Sequence, residues 1–217
     1  MNNKWEELCH YLLEGDEEKA YNLLLAEDLD SINIYNDLIT KAMQHVGYLW
    51  ETNQITVADE HLATSICDFI ITRYAFSRKG SVHHQHGKKM MFLCLEQEQH
   101  ILGAKMAAAL ATEKGWNVRQ LGADLPLEYT IDSAKKWQPE VIGLSAALPY
   151  RLTTLSDYVI ELEKLSWKPK IVIGGRLASM YDLRSYCGNK STIFTNLYEL
   201  NDWLDKEQGC VNVDGAS

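Results

Sequence analysis

Glu98-Gln99-His100-Ile101-Leu102-Gly103 sets an imidazole two residues after a carboxylate and three before a glycine. Imidazole is a good ligand for a borderline transition metal, and a carboxylate near its second nitrogen orients the ring and makes it more basic. A glycine one turn on has no Cβ to keep a bulky group away. A second constellation is Trp50, followed after a nine-residue gap by Glu60-His61. It offers an aromatic ring, a carboxylate acceptor and another imidazole within a short stretch. A third, His83-His84-Gln85-His86, clusters imidazoles of the kind that bind transition metals, although its Gly- and Ser-containing surroundings read more simply as a solvated linker.

These residues need elements to position them. Lys88 to Leu95 reads as a short apolar strand, and Gly103 to Ala111 as a helix of small residues that packs close to a sheet. His100 therefore falls at the strand-to-helix junction of an α/β unit, at the carboxyl end of its first strand, where open parallel sheets bind ligands. Further strands are expected at Trp116 to Gln120, Val141 to Ser145, Lys170 to Ile173 and Thr192 to Thr195, with a closing helix from Asn196 to Lys206. Alternation of strand and helix argues for a parallel sheet covered on both faces.

The first third has a different pattern. Lys4 to Leu13, Glu17 to Leu25, Ile32 to Trp50 and Val57 to Phe76 carry apolar residues at helical spacing, with stop and cap signals at Gly15-Asp16 and Asp28 to Ser31. Four such helices make a small bundle. Trp50 then lies near the end of the third helix and Glu60-His61 near the start of the fourth, so the turn after Glu51 brings all three to one end of the bundle.

Glu98-x-His100-x-x-Gly103 resembles the Asp/Glu-x-His-x-x-Gly motif of cobalamin-binding domains. The resemblance continues through Leu121-Gly122-Ala123-Asp124-Leu125-Pro126, Leu144-Ser145-Ala146 and Val172-Ile173-Gly174-Gly175, in the family's order and at domain-sized spacing. It implies an α/β fold, a four-helix bundle followed by a flavodoxin-like or Rossmann-like parallel-sheet domain. His100 would be the lower axial ligand of cobalt and Glu98 its hydrogen-bonding partner. Gly103 would admit the corrin or its nucleotide tail, Gly174 and Gly175 the displaced benzimidazole tail, and Ser145 would hydrogen-bond a nitrogen of that tail. The implied organisation is a bundle over 1–76 capping the upper face of the cofactor, a linker over 77–87, the cobalamin-binding domain over 88–209 and a tail over 210–217.

Within that family, the spacing of Trp50 and Glu60-His61 resembles the Trp-x9-Glu-His pattern of adenosylcobalamin photoreceptors related to MerR-type regulators. The resemblance implies that Trp50 packs by the upper ligand and that Glu60-His61 contacts the adenosyl group. The bundle begins within the first few residues, so an N-terminal helix-turn-helix is not expected, and any output runs through a protein partner or self-association. Glu51 stands where some light-sensing members have a histidine. The expectation is a light sensor or regulator using adenosylcobalamin, and not an enzyme. The alternative is a corrinoid carrier protein of a methyltransferase system using methylcobalamin, and a domain that has lost cobalamin binding stands third.

Composition is compatible with both main readings. Thirty acidic residues against 21 Lys and Arg give a formal charge of −9, which opposes direct nucleic-acid binding. Five scattered cysteines without paired spacing read as free thiols of a reducing compartment. Acidic residues occupy the N-terminus where a signal peptide has an apolar run, and no stretch is long enough to span a bilayer, so a cytoplasmic protein is expected.

Overall fold

The computed structural model describes residues 4–78, 87–188 and 190–209, and the chain divides into two compact units at Gly80 and Ser81. The His83-His84-Gln85-His86 cluster and the 210–217 tail lie outside the described residues.

The first unit is helical: α1 (Lys4–Glu14), α2 (Glu17–Ala26), α3 (Ser31–Asn33), a π-helical stretch (Ile34–Ile39), α4 (Thr40–Glu51) and α5 (Val57–Arg78). Local chemistry sets these boundaries. Gly15 turns the chain at φ +71°, and Asp16 caps α2 by accepting the Lys19 N–H at 3.0 Å. Thr56 and Asp59 hydrogen-bond reciprocally across the first turn of α5, the Thr56 N–H to Asp59 Oδ2 at 2.8 Å and the Asp59 N–H to Thr56 Oγ1 at 3.3 Å. The backbone conformation is right-handed helical at both ends of the π stretch, so α3 runs through it into α4. Leu8, Leu12, Leu24, Ile34, Ile39, Ile70 and Ile71 are among its fully buried side chains, each contributing roughly 1.5–3 kcal/mol by removal from water.

The second unit alternates strand and helix: β1 (Lys89–Cys94), α6 (Leu102–Glu113), β2 (Asn117–Gln120), α7 (Leu127–Trp137), β3 (Val141–Ser145), α8 (Leu152–Glu163), β4 (Lys170–Gly174), the short α9 (Arg176–Met180) and α10 (Arg184–Cys187), β5 (Thr192–Ile193) and α11 (Leu197–Gly209). All strands pair in parallel in the order β2-β1-β3-β4-β5. The expected fold class therefore stands, with element ends displaced by a few residues; β5 keeps two residues of the expected four.

Strand alternation sorts the core. Met91, Leu93 and Leu95 join Ile142, Leu144, Ile171 and Ile173 against Ala134 and Trp137 of α7 and Leu155, Tyr158, Val159 and Leu162 of α8. On the other face, buried Ala104, Ala107, Ala108 and Ala111 let α6 lie close to the sheet, and Trp116 stacks on Trp203 of α11 with ring centroids 6.2 Å apart. A Cβ on Gly143, in the central strand, would come within 2.4 Å of the Phe92 ring, so this position admits no side chain while that ring keeps its place. With this strand order the direction of progression reverses between β1 and β3, and the crevice beyond their carboxyl ends is where such sheets bind ligands.

Candidate cobalamin-binding site

The chain leaves β1 at Cys94 and runs through Leu95–Ile101 before α6 begins, so the segment holding His100 opens at that crevice. Its backbone is fixed residue by residue. Leu95 forms an isolated parallel bridge with Leu125. The Glu96 N–H donates to Tyr158 Oη at 3.2 Å, and Tyr158 Oη donates to the Leu125 carbonyl at 2.5 Å. The Gln97 N–H donates to Asp124 Oδ1 at 2.6 Å, while the Glu98 carbonyl accepts the Asp124 N–H at 3.1 Å. Gln97 also accepts a hydrogen bond from the Arg151 guanidinium at its side-chain Oε1.

Glu98 is fully buried, and both of its carboxylate oxygens are engaged. Oε2 accepts the Ala147 N–H at 2.9 Å. Oε1 accepts the His100 N–H at 3.1 Å and pairs with His100 Nδ1 in a short contact. Burial pushes the Glu98 carboxyl up, but the hydrogen bonds from the His100 ring and from the Ala147 and His100 amides outweigh it and hold the group below the usual carboxylate range. A carboxylate at Nδ1 fixes the tautomer in which Nε2 carries the lone pair, the form that ligates a transition metal. The His100 side chain itself is 61% exposed.

The other expected residues of this unit gather at the same end of the sheet. Ser145 ends β3 opposite Cys94 of β1 and Gly174 of β4. It is buried, and the Cys94 thiol on the neighbouring strand donates to the His100 carbonyl at 3.7 Å, with desolvation pushing that thiol up to about 12. A Cβ built on Gly103 meets nothing within 4 Å, and one on Gly174 meets only the Phe194 carbonyl at 3.9 Å, so both glycines leave room for a ligand. Gly175 differs. At φ +100°, its Cβ would stand 2.5 Å from the Ala146 carbonyl oxygen, so this glycine is required by the fold's own packing.

In the helical unit, Trp50 lies in the last turn of α4 with 46% of its surface exposed, and Glu60 and His61 lie in the first turns of α5. The three residues flank one turn, Thr52 to Thr56. Glu60 Oε2 pairs with His61 Nδ1 at 2.6 Å, and Glu60 Oε1 accepts the Thr64 hydroxyl at 2.8 Å.

Sequence reasoning assigned no role to Asp124, Tyr158, Arg151 or the Ala147 amide. Asp124 stood inside a recognised motif, which was its only signal. The others belong to α8, the turn before it, or a backbone group, and nothing in their residue types marks them.

A five-stranded parallel sheet in this order sets a carboxylate-oriented histidine at its switch point, where an imidazole nitrogen can ligate a metal. Comparison with known proteins gives the family. Residues 5–73 and 88–188 match two family models, each described as a B12 binding domain, and together these span most of the chain. The protein belongs to the B12-binding-domain family and is a cobalamin-binding protein.

A corrinoid protein of Desulfitobacterium hafniense is 23% identical over 177 residues, covering 78% of this chain and 82% of that one. Dimethylamine corrinoid protein 1 of Methanosarcina acetivorans is 25% identical over 163 residues, covering 70% and 72%. The HTH-type transcriptional repressor CarH of Myxococcus xanthus is 24% identical over 136 residues, but the match covers 63% of this chain and 44% of the repressor. The structure of the monomethylamine corrinoid protein of Methanosarcina barkeri superposes with a TM-score of 0.69 over 92% of this chain and 96% of that one, at 18% identity, which is a likeness of fold. No helix among the described residues is long and apolar enough to cross a membrane.

Proposed function

We propose that this protein is a corrinoid carrier of a methyltransferase system, holding cobalamin through His100 and presenting it to partner enzymes without being a catalyst by itself. The observation that supports this most is coverage. Corrinoid proteins from two organisms match along 70% or more of this chain and of their own length, whereas the CarH match covers 44% of that repressor. This reverses the order of the two readings drawn from the sequence. Glu51 beside Trp50 also weighs against the photoreceptor pattern.

When bound, the cofactor supplies the cobalt–carbon bond and its chemistry. The chain's own residues orient and shelter it. His100 would offer Nε2 to the cobalt, while buried Glu98 would hold the proton at Nδ1 and keep the ring in place. Gly103 and Gly174 give the space that a corrin and its tail need, Ser145 lines the end of β3, and Gly175 keeps the β4 turn tight against Ala146. The partners in this reading are methyltransferase subunits, and a net charge of −9 opposes direct nucleic-acid contact.

A second reading, the adenosylcobalamin light sensor, draws on the Trp50 and Glu60-His61 spacing and on the similarity to CarH. One experiment separates the two. Affinities for methylcobalamin and adenosylcobalamin are measured in the dark, and association state is followed by light scattering before and after illumination. Comparable affinities and an unchanged association state are the carrier's result. A marked preference for adenosylcobalamin with a light-dependent change of association overturns it.

A further inference from the structure

We propose that Asp124 is a positioning residue for the cobalt ligand: from the loop after β2 it fixes the backbone that presents Glu98 and His100. The proposal rests on His100 being the lower ligand, and it concerns what holds that ligand in place.

Gln97 adopts a left-handed backbone, φ +60°, which a residue with a long side chain rarely takes unless its surroundings impose it. Asp124 imposes it from both sides of one peptide group. Its carboxylate accepts the Gln97 N–H at 2.6 Å, and its own N–H donates to the Glu98 carbonyl at 3.1 Å. A bond to an ionised carboxylate is stronger than a neutral one, so the first contact is the firmer anchor. Asp124 is itself left-handed at φ +52°, a conformation that Asp and Asn tolerate better than other side chains.

The same two loops are joined again one residue away on each strand, where Tyr158 Oη accepts the Glu96 N–H and donates to the Leu125 carbonyl. On the far side, Arg151 holds the Gln97 side chain. His100 follows two residues after Glu98, whose carboxylate meets its ring. Release of Gln97 lets the Glu98 backbone turn and carries the carboxylate away from Nδ1.

The test uses the full chain. Histidine 15N NMR above neutral pH, without cobalamin, reads which ring nitrogen of His100 bears the proton; aquocobalamin titration reads the ligand's competence. The wild type shows the Nδ1–H tautomer. D124A shows a mixture of tautomers, binds aquocobalamin about tenfold more weakly and keeps a cooperative thermal transition. D124N behaves as wild type, because its amide oxygen still accepts the Gln97 N–H and Asn tolerates the same backbone. Should D124A fail to fold, D124G, which accommodates φ +52° and lacks the carboxylate, gives the same shift. A wild-type tautomer pattern in D124A or D124G, or an Asn variant as impaired as the Ala variant, overturns the proposal. If the wild type takes up no aquocobalamin, the proposed function falls, while the ring signal still decides the role of Asp124.

Discussion

Two carboxylate–histidine pairs among the described residues, Glu98–His100 in the α/β unit and Glu60–His61 in the helical unit, differ in what stands behind them. Glu98 is wholly buried, and its second oxygen is held by the Ala147 amide from the end of β3. Glu60 keeps 27% of its side chain exposed, its second oxygen is held by Thr64 one turn along the same helix, and its partner His61 is 74% exposed. Only the first pair ties separate elements together. A buried carboxylate without its donors is costly, so the ring position is enforced by the core, whereas an exposed pair is held by little more than its own contact.

The sharpest way to break the comparison is to remove each histidine. His100→Ala should weaken cobalamin binding by more than the roughly 10–100-fold typical of losing an outer-shell partner, and should abolish the histidine-ligated absorption spectrum. His61→Ala should leave that spectrum in place. Equal losses in the two variants would mean that the pairs share the ligand's task.

The carboxylates come next. Glu98→Gln should lower affinity by about 10–100-fold, whereas Glu60→Gln should change it by less than about fivefold, since an exposed pair is worth under ~1 kcal/mol. Titration by absorbance measures both.

A smaller effect concerns acid stability. Glu98 titrates below its ordinary value in the folded chain, so the unfolded chain binds its proton first. The stability it contributes is fully present above the usual carboxylate range and is lost as pH falls through the depressed folded value. Glu98→Gln should be less stable than wild type near neutrality by about 1–3 kcal/mol, and the gap should narrow as pH drops below the usual carboxylate range. Circular dichroism with urea titration at several pH values measures this. A gap that stays constant with pH would show that the carboxylate charge contributes nothing.

The smallest effect is expected at the glycines. Gly103→Ala leaves stability of the cobalamin-free protein unchanged within about 1 kcal/mol, because its Cβ enters open space and the helix gains from Ala, while Gly175→Ala destabilises it measurably. Thermal melts of the two variants compare them directly.

Much of this was legible in sequence because residue type reports burial and spacing reports faces. β3, Val141 to Ser145, matched its expected bounds because a run of apolar residues between turn signals has few other readings. The histidine and its carboxylate were legible because they lie two residues apart. The rest of the support was not, since Tyr158 follows Glu96 by 62 positions and a backbone amide such as that of Ala147 has no signature. The π stretch also left no trace, because the apolar pattern around Ile34, Tyr35, Leu38 and Ile39 suits an ordinary helix as well.

That stretch has a consequence for the evolution of the helical unit. The Thr40 amide bonds back to the Tyr35 carbonyl, five residues earlier, so the turn holds one residue more than regular winding needs. Each residue of an α-helix advances the next side chain by about 100°. The bulge therefore acts as a phase adjuster: it lets the buried face near Ile34 and the exposed face near Trp50 each keep its own direction. Loss of one residue between Ile34 and Ile39 would be absorbed by rewinding this turn, while loss of one between Thr40 and Leu49 would swing Trp50 round the helix. Single-residue deletions should accordingly be tolerated between Ile34 and Ile39 and rejected between Thr40 and Leu49.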